Sequence, residues 1–576
     1  MGLLGINKGT KPRAEKMLTR YKLDMISRFM LAVKYSSLSS RINSMEEVFD
    51  YVIVGAGSAG CPVANRLSAD PKSRVLLLEA GPKDRNIWIH IPIGYYKNMI
   101  SPLSWGYKTE PDDGLNGRSI IWPRGKVLGG SSAINGLLYV RGQKEDYDHW
   151  RQLGNEGWSY EDVLPFFKKA ENQENGPNDY HGSGGPLQVS NIRDKREICD
   201  AFIEAAVQAG IERNEDFNGP SQEGVGNYQV TSAQGRRCSS AMGYIKPIRG
   251  RANLSIKTDA QVLKLDFEDK RVSCVRYQQH GREHVVKVSG EVILSGGAIN
   301  SPQLLQLSGI GPASLLHSLG IKIVHDNGGV GADLQDHYQA RAIVELNKAI
   351  SVNDEANRLH RLILAGLQYA LFRRGPATFS AGHVGVFTKV LPESATPDAQ
   401  IHFIPFSATS MGGALHQFSG VTISVCQLRP ESRGEVMIRS NDPLVHPKIS
   451  PNYLATEYDQ RIMIEGLKLV RRIAQQPAFD KYVFKEHEPG KKLETDAALL
   501  DYARNKGNTI FHPTSTCRMG NDATAVVDAR LRVRGIQGVR VADCSIMPTV
   551  TSGNTNAPAI MIGEKCAQMI LEDSRK

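Results

Sequence analysis

The first sharp change of pattern along the chain comes at Phe49-Asp-Tyr-Val-Ile-Val54, an apolar run of strand length. It stops at Gly55-Ala-Gly57-Ser-Ala-Gly60, and Cys61-Pro-Val-Ala-Asn-Arg-Leu-Ser68 then reads as a helix. A second apolar run, Arg74-Val-Leu-Leu-Leu78, ends at Glu79-Ala-Gly81. The pattern predicts a β-α-β unit with G-x-G-x-x-G at its first turn. Gly55 is expected to make the tight turn, Gly57 to let a pyrophosphate approach the backbone beside Ser58 and Ala59, and Gly60 to let helix pack on strand. The first helical turn offers free N–H groups and positive partial charge to the phosphates. Glu79 lies at the end of the second strand, where a carboxylate can accept bonds from ribose hydroxyls. A dinucleotide site follows, with FAD and NAD both open at this point. A 2′-phosphate would be repelled by Glu79, which argues against NADP.

Further on, Trp122-Pro-Arg-Gly-Lys-Val-Leu-Gly-Gly-Ser-Ser-Ala-Ile-Asn135 predicts a small-residue turn leading into a helical stretch from Ala133 to Tyr139. Strands are predicted at Ala252–Thr258, Gln261–Leu265 and Arg282–Val288. Glu291-Val-Ile-Leu-Ser295 then runs into Gly296-Gly297 and a helix over Gln303–Ser308, a second strand–glycine–helix junction that could return to the same cofactor. From about 340 to 505 the pattern is irregular, with apolar runs at Leu362–Phe372, Ile401–Phe406 and Val421–Leu428, and reads as a separate substrate-facing layer. Leu362–Phe372, flanked by Arg361, Arg373 and Arg374, has two readings: an amphipathic core helix, or a patch at a substrate mouth that touches membrane. Alternating strand and helix patterns give an α/β fold class.

Composition trims the alternatives. With 41% apolar and 23% charged residues, the chain is ordinary globular material. Its formal charge of +10 is uneven: residues 1–45 hold nine Lys/Arg against Glu15 and Asp24. A nucleic-acid binder would spread basic charge over a folded face, so that class is set aside. The head can be read as a transit peptide, a membrane-surface helix, or an upstream extension of a reading frame starting at Met45. The eight cysteines are scattered, with no C-x-x-C, so neither a disulfide scaffold nor a zinc site is expected. No apolar stretch has the ~18 residues of a membrane span, and a soluble or peripheral protein in a reducing compartment is expected.

Several segments together resemble the glucose–methanol–choline (GMC) family of FAD oxidoreductases, over essentially all of 48–572. They are the glycine-rich start, Arg124-Gly-Lys-Val-Leu-Gly-Gly-Ser-Ser132, Gly297-Ala-Ile-Asn-Ser-Pro-Gln-Leu-Leu-Gln-Leu-Ser-Gly-Ile-Gly311 and Gly329-Val-Gly-Ala-Asp-Leu-Gln-Asp-His337. His512-Pro-Thr-Ser-Thr-Cys-Arg-Met-Gly520, Val541-Ala-Asp543 and Gly553-Asn-Thr-Asn-Ala-Pro558 continue the series. Within the family the chain is most similar to bacterial alcohol dehydrogenases that use an acceptor other than oxygen, with choline dehydrogenases close behind.

The resemblance implies a Rossmann-like FAD-binding domain, discontinuous in sequence (46–160, 225–338 and 506–576). It also implies a substrate-binding domain on an antiparallel sheet with helices (161–224 and 339–505), and a basic extension over 1–45. It implies Gly55, Gly57, Ser58, Ala59 and Gly60 at the pyrophosphate, Glu79 at the adenosine ribose and Val262 at the adenine. Gly130, Asn135 and Gly136 would lie against the isoalloxazine, and Asp543 at the ribityl–phosphate region. Some members tether FAD through a histidine where this chain has Ile134, so non-covalent FAD is expected.

His512 and Asn554 match the family's catalytic positions. His512 would be a general base with pKa near 7, and Asn554 would stabilise the alkoxide as hydride passes from a primary alcohol to flavin N5. Asn556 remains open as a substitute for Asn554, and His337 is expected to be structural or supporting. The expected partners are a small alcohol and a quinone or other non-oxygen acceptor, with peripheral membrane contact open. The expected location is cytoplasmic or peripheral to an inner membrane, mitochondrial targeting included. Choline dehydrogenase and an oxygen-using alcohol oxidase remain alternatives. A photodecarboxylase or hydroxynitrile lyase would be a different class on the same fold, and His512 argues against the photodecarboxylase.

Overall fold

Two seven-stranded sheets organise the chain in the computed structural model, which describes residues 47–410 and 412–575. The basic head over 1–45 lies outside the described residues. In the first sheet Leu254–Lys257, Val75–Leu78, Val48–Val54, Arg282–Leu294, Arg271–Gln279 and Ala260–Glu268 lie side by side in that order, and Val539–Val541 pairs with Arg282–Leu294. Val75–Leu78 pairs in parallel with both neighbours, as does Val539–Val541 with its partner, whereas 260–294 forms an antiparallel meander. Val75–Leu78 is buried throughout, the pattern of a strand covered on both faces. The Gly60–Leu67 helix makes the crossover, and the Asn556–Asp573 helix packs on it.

Two local expectations change. Arg282–Val288 and Glu291–Ser295 are one continuous strand, Arg282–Leu294, which leaves the meander and ends in the parallel part. The stretch predicted to be helical from Ala133 to Tyr139 is only a 3₁₀ turn, Gly130–Ala133. Beyond it Leu137 is left-handed (φ 66°) and its N–H donates to Asn135 Oδ1 (3.2 Å), which stops helical propagation.

The second sheet is antiparallel, in the order Val483–Glu488, Tyr338–Leu346, Gly420–Gln427, Ala399–Ile404, Val384–Thr388 and Gly224–Asn227, and Asn508–Thr509 also pairs with Tyr338–Leu346. Its strands alternate strictly. Ala340, Ala342, Val344, Val421, Ile423, Val425, Ile401 and Phe403 enter a core shared with the Glu457–Ala474 helix. The opposite rows, Gln339 and Arg341, Thr422 and Ser424, His402 and Ile404, line a cavity. Gly420–Gln427 is buried at every position because core and cavity each take one face: Val421, Ile423 and Val425 face the core, and the small polar Thr422 and Ser424 face the cavity. Val163, Phe166, Phe167, Leu187 and Val189 pack in the core of the first sheet.

Candidate active site

A cavity of about 1200 Å³ runs from the glycine-rich turn to the polar face of the second sheet. Ordinary ligand pockets span ~300–1,000 Å³, so this one has room for a large cofactor and a second reactant. Gly55, Gly57, Ser58, Ala59, Glu79, Gly130, Asn135, Gly136, Val262, Asp543, His512 and Asn554 all border it. Gly60 does not: a Cβ there would meet the Gly55 carbonyl oxygen at 1.9 Å, so this glycine is required by packing.

At one end the chain makes a cradle. Gly55 has φ 100°, and a Cβ on Gly130 would stand 2.7 Å from Gly57 Cα, so the two glycine turns touch. A Cβ on Gly57 would meet nothing closer than Ser295 O at 3.9 Å and would project into the cavity. The nearby Ser295 hydroxyl is buried, lines the same space and has no partner among the described residues. Open backbone at a helix start beside an unsatisfied hydroxyl suits an oxygen-rich ligand such as a pyrophosphate. Glu79 accepts from Ala56 N (3.0 Å) and Gly81 N (2.9 Å), and burial pushes its carboxyl up to about 7. Asp543 sits at the start of the Gly297–Leu307 helix, accepting from Gly297 N (2.8 Å), Ser301 Oγ (2.6 Å) and Ser545 N (2.8 Å). Burial also raises its pKa.

The Gly130–Gly136 loop is held by a residue that sequence reasoning missed. Arg237, fully buried, donates to Asn135 Oδ1 (2.6 Å), Asn135 O (2.7 Å), Ser132 O (3.2 Å) and Ile89 O (2.8 Å). Burial lowers its pKa to about 9. No motif marks it; only the loop's free carbonyls, at a sequence distance of about a hundred residues, give it a purpose.

At the other end His512 and Asn554 meet: Asn554 Nδ2 is 3.2 Å from His512 Nε2. Asn556 is elsewhere engaged, its Oδ1 accepting from Ser58 Oγ at 2.8 Å, so of the two asparagines Asn554 reaches the histidine. Gln400 Nε2 stands 3.5 Å from Asn554 Oδ1. His512 Nδ1 lies 3.0 Å from His337 Nδ1, and His337 Nε2 lies 2.9 Å from Leu428 O. A carbonyl only accepts, so His337 carries its proton on Nε2 and presents a bare Nδ1. His512 then donates from Nδ1, which leaves His512 Nε2 with a lone pair toward Asn554 and the cavity.

The backbone of this loop is tied as firmly. Asp336 Oδ1 accepts from His512 N at 2.6 Å, while Oδ2 accepts from Thr509 Oγ1 (2.5 Å) and the Tyr453 hydroxyl. Gln335 Oε1 accepts from Val550 N at 2.9 Å. Gln335, Asp336 and His337 each brace the segments around His512 and Asn554; the sequence led to a supporting role for His337, but not for Gln335 and Asp336. The histidine is also not poised near neutrality as expected. Burial, aided by His337, His402 and Arg124, holds His512 well below the usual imidazole range. His337 and His402 are themselves lowered by burial to about 4 and about 3.

Comparison with known proteins agrees with this architecture. The N- and C-terminal models described as GMC oxidoreductase match residues 49–339 and 430–563. The chain is 44% identical over 528 residues to an alcohol dehydrogenase [acceptor] of Pseudomonas putida, covering 91% of this chain and 96% of that protein. It is 42% identical over 535 residues to the mitochondrial choline dehydrogenase of Mus musculus, covering 91% and 90% respectively. A solved FAD-dependent oxidoreductase from Chaetomium thermophilum superposes with a TM-score of 0.84 at 26% identity, over 92% of this chain and 100% of the other. The chain belongs to the GMC oxidoreductase family.

Proposed function

We propose that the protein oxidises a primary alcohol to its aldehyde, with His512 as general base and Asn554 stabilising the developing alkoxide. The cofactor is FAD, which when bound supplies the two-electron oxidant that takes the hydride at N5. Gly55, Gly57, Ser58 and Ala59 would hold its pyrophosphate, with Gly60 letting the helix pack close behind them, Glu79 its adenosine ribose and Val262 its adenine. Gly130, Asn135 and Gly136 would support the isoalloxazine, and Asp543 the ribityl–phosphate region. Ile134 offers no atom for a covalent bond to the flavin, so the attachment is non-covalent.

The observation that carries the reading is the proton chain through His337. It leaves His512 Nε2 unprotonated in the cavity, where an alcohol hydroxyl can donate to it. His512 accepts that proton as the C–H bond breaks, and the Asn554 amide N–H donates to the oxygen as charge builds there. His337 keeps the accepting tautomer in place. Burial excludes competing water and holds His512 neutral beforehand.

The lining favours an uncharged, apolar alcohol over choline. Ile404, Phe406 and Leu415 line the substrate side, and its charged groups are mostly cations: Lys97, Arg236, Arg341 and Arg373. The acid there, Glu355, pairs with Arg196 at 3.0 Å. Aromatic rings that a quaternary ammonium could use do line the cavity, Trp88, Tyr96, Trp105 and Phe406 among them, so the case against choline rests on the repulsion of these cations and the absence, among the described residues, of a free carboxylate beside them. Electrons then pass to a quinone or another acceptor that is not oxygen. Anaerobic mixing of the yellow protein with 1-octanol, benzyl alcohol and choline, following flavin absorbance, tests this. Bleaching by the aliphatic alcohol supports it, and bleaching by choline alone refutes the substrate class. Reoxidation by a quinone but not by air would identify the acceptor.

A further inference from the structure

The Leu359–Phe372 helix is not the core helix that its composition allows. Of its fourteen residues only Tyr369 is buried, while Leu359, Leu364 and Leu371 are 73%, 62% and 72% exposed. Its two faces have different neighbours. Leu362, Ala365, Gly366, Tyr369 and Ala370, at helical spacing, line the cavity. Ile363, Leu364, Leu367 and Leu371 point the other way and are exposed. A helix that is apolar on nearly all sides belongs in a core or in lipid, and no core surrounds this one. At 14 residues it is about 21 Å long, short of the ~30 Å hydrocarbon layer, so it can lie in a bilayer surface and cannot span one. Among the described residues no helix is long and apolar enough to cross a membrane.

A second segment continues the patch. Ile87, Trp88, Tyr96 and Ile100 are exposed, and Trp88 and Tyr96 line the same cavity. Lys97 Nζ sits 3.6 Å from the Trp88 ring centroid. The Pro92–Gly94 and Pro376–Thr378 turns pack together and join the two segments. Tryptophan and tyrosine with an apolar body and a polar tip suit the headgroup level of a bilayer. Charge points the same way. Residues 356–392 contain Arg358, Arg361, Arg373, Arg374 and Lys389 and no Asp or Glu, and 86–109 contain Lys97 and Lys108 and again no acid. A protein partner would need one complementary face, whereas a fluid lipid surface can wrap a helix that is apolar around its circumference.

We propose that this surface docks the protein on an anionic lipid bilayer, with the cavity mouth opening toward the lipid. A lipophilic alcohol or quinone then enters without crossing water. That consequence rests on the oxidoreductase reading above, but the docking does not.

The test is flotation of the full-length flavoprotein with vesicles of phosphatidylcholine, with and without phosphatidylglycerol. Wild type should bind the anionic vesicles about tenfold or more tightly than the neutral ones. Leu364→Glu with Leu371→Glu, on the face turned from the cavity, should weaken binding about tenfold or more. Arg361→Gln with Arg374→Gln should act mainly on the anionic vesicles, because each cation near such a surface is worth roughly fivefold. Turnover of a short water-soluble alcohol with a soluble dye should be unchanged in these variants, which separates loss of docking from loss of chemistry. Wild type that stays with the soluble fraction overturns the proposal, as does flotation untouched by the paired leucine changes. So would a dimer that those changes dissociate while vesicle binding persists, since a second copy would then cover the helix.

Discussion

The imidazoles of His337 and His512 meet Nδ1 to Nδ1 at 3.0 Å, so one proton serves both nitrogens. Because His337 Nε2 faces the Leu428 carbonyl, that proton belongs to His512, and the tautomer of the proposed base is set from outside the cavity. His337 is wholly buried and does not border the cavity, so it cannot turn to water for another partner.

Replacing the base tests the chemistry directly. His512→Ala should retain FAD, because the cradle at Gly55–Gly60 lies elsewhere, while alcohol-driven flavin reduction slows about 10²–10⁴-fold. Asn554→Ala should slow it about 10²–10³-fold, typical of losing one oxyanion donor. Stopped-flow absorbance reads both, and near-wild-type reduction in His512→Ala would move the base elsewhere.

His337→Leu removes the acceptor for His512 Nδ1–H. The proton should then shift to Nε2, which can no longer accept, and reduction should slow about 10–100-fold, the scale of one buried unsatisfied donor at about 1–3 kcal/mol. KM should change little. Histidine ¹⁵N NMR should show the His512 tautomer reversed; an unchanged tautomer would reduce His337 to a packing role.

The depressed His512 pKa predicts a flat profile where an ordinary histidine titrates, around pH 6.5. The reduction rate should therefore be constant from about pH 6 upward. A wild-type rise through neutrality that disappears in His512→Ala would show that ligands restore an ordinary pKa.

Stability of the apoprotein should fall on the acid side. His337 (about 4), His383 (about 3) and His402 (about 3) stay neutral in the fold, whereas the unfolded chain binds protons below pH 6.5. Each group therefore favours folding above 6.5 and loses that contribution, about 1.4 kcal/mol per pH unit, as pH falls toward its folded value. Glu79 (about 7), Asp336 (about 6) and Asp543, also raised by burial, oppose this by binding protons first in the fold. Four depressed histidines, His512 included, outweigh these three carboxyls, so thermal midpoints should drop between pH 6.5 and 5.

Glu79→Ala strands the Ala56 and Gly81 N–H groups at about 1–3 kcal/mol each. The purified variant should be pale, with less FAD per chain by absorbance ratio. In the wild type, acid precipitation should free all the FAD. Flavin left on the polypeptide would reveal a tether other than a histidine at position 134.

Local order explains what could be read early. The Phe49–Leu78 β-α-β unit declares itself because strand, glycine turn, helix and Glu79 lie within one short stretch, where alternation and turn chemistry act between near neighbours. His512 and Asn554 stood out through the motifs around them. The sequence by itself thus determined the fold class and the residue types available for chemistry. Tertiary structure decided how they are arranged. The choice of Asn554 over Asn556 depends on Ser58, and the His512 tautomer depends on His337 and Leu428, 175 and 84 residues away. Arg237 acquires its purpose only when the 130–136 loop folds over it. The Leu359–Phe372 run shows the limit most plainly: periodicity reports that a helix is apolar, and only packing reports whether protein covers it.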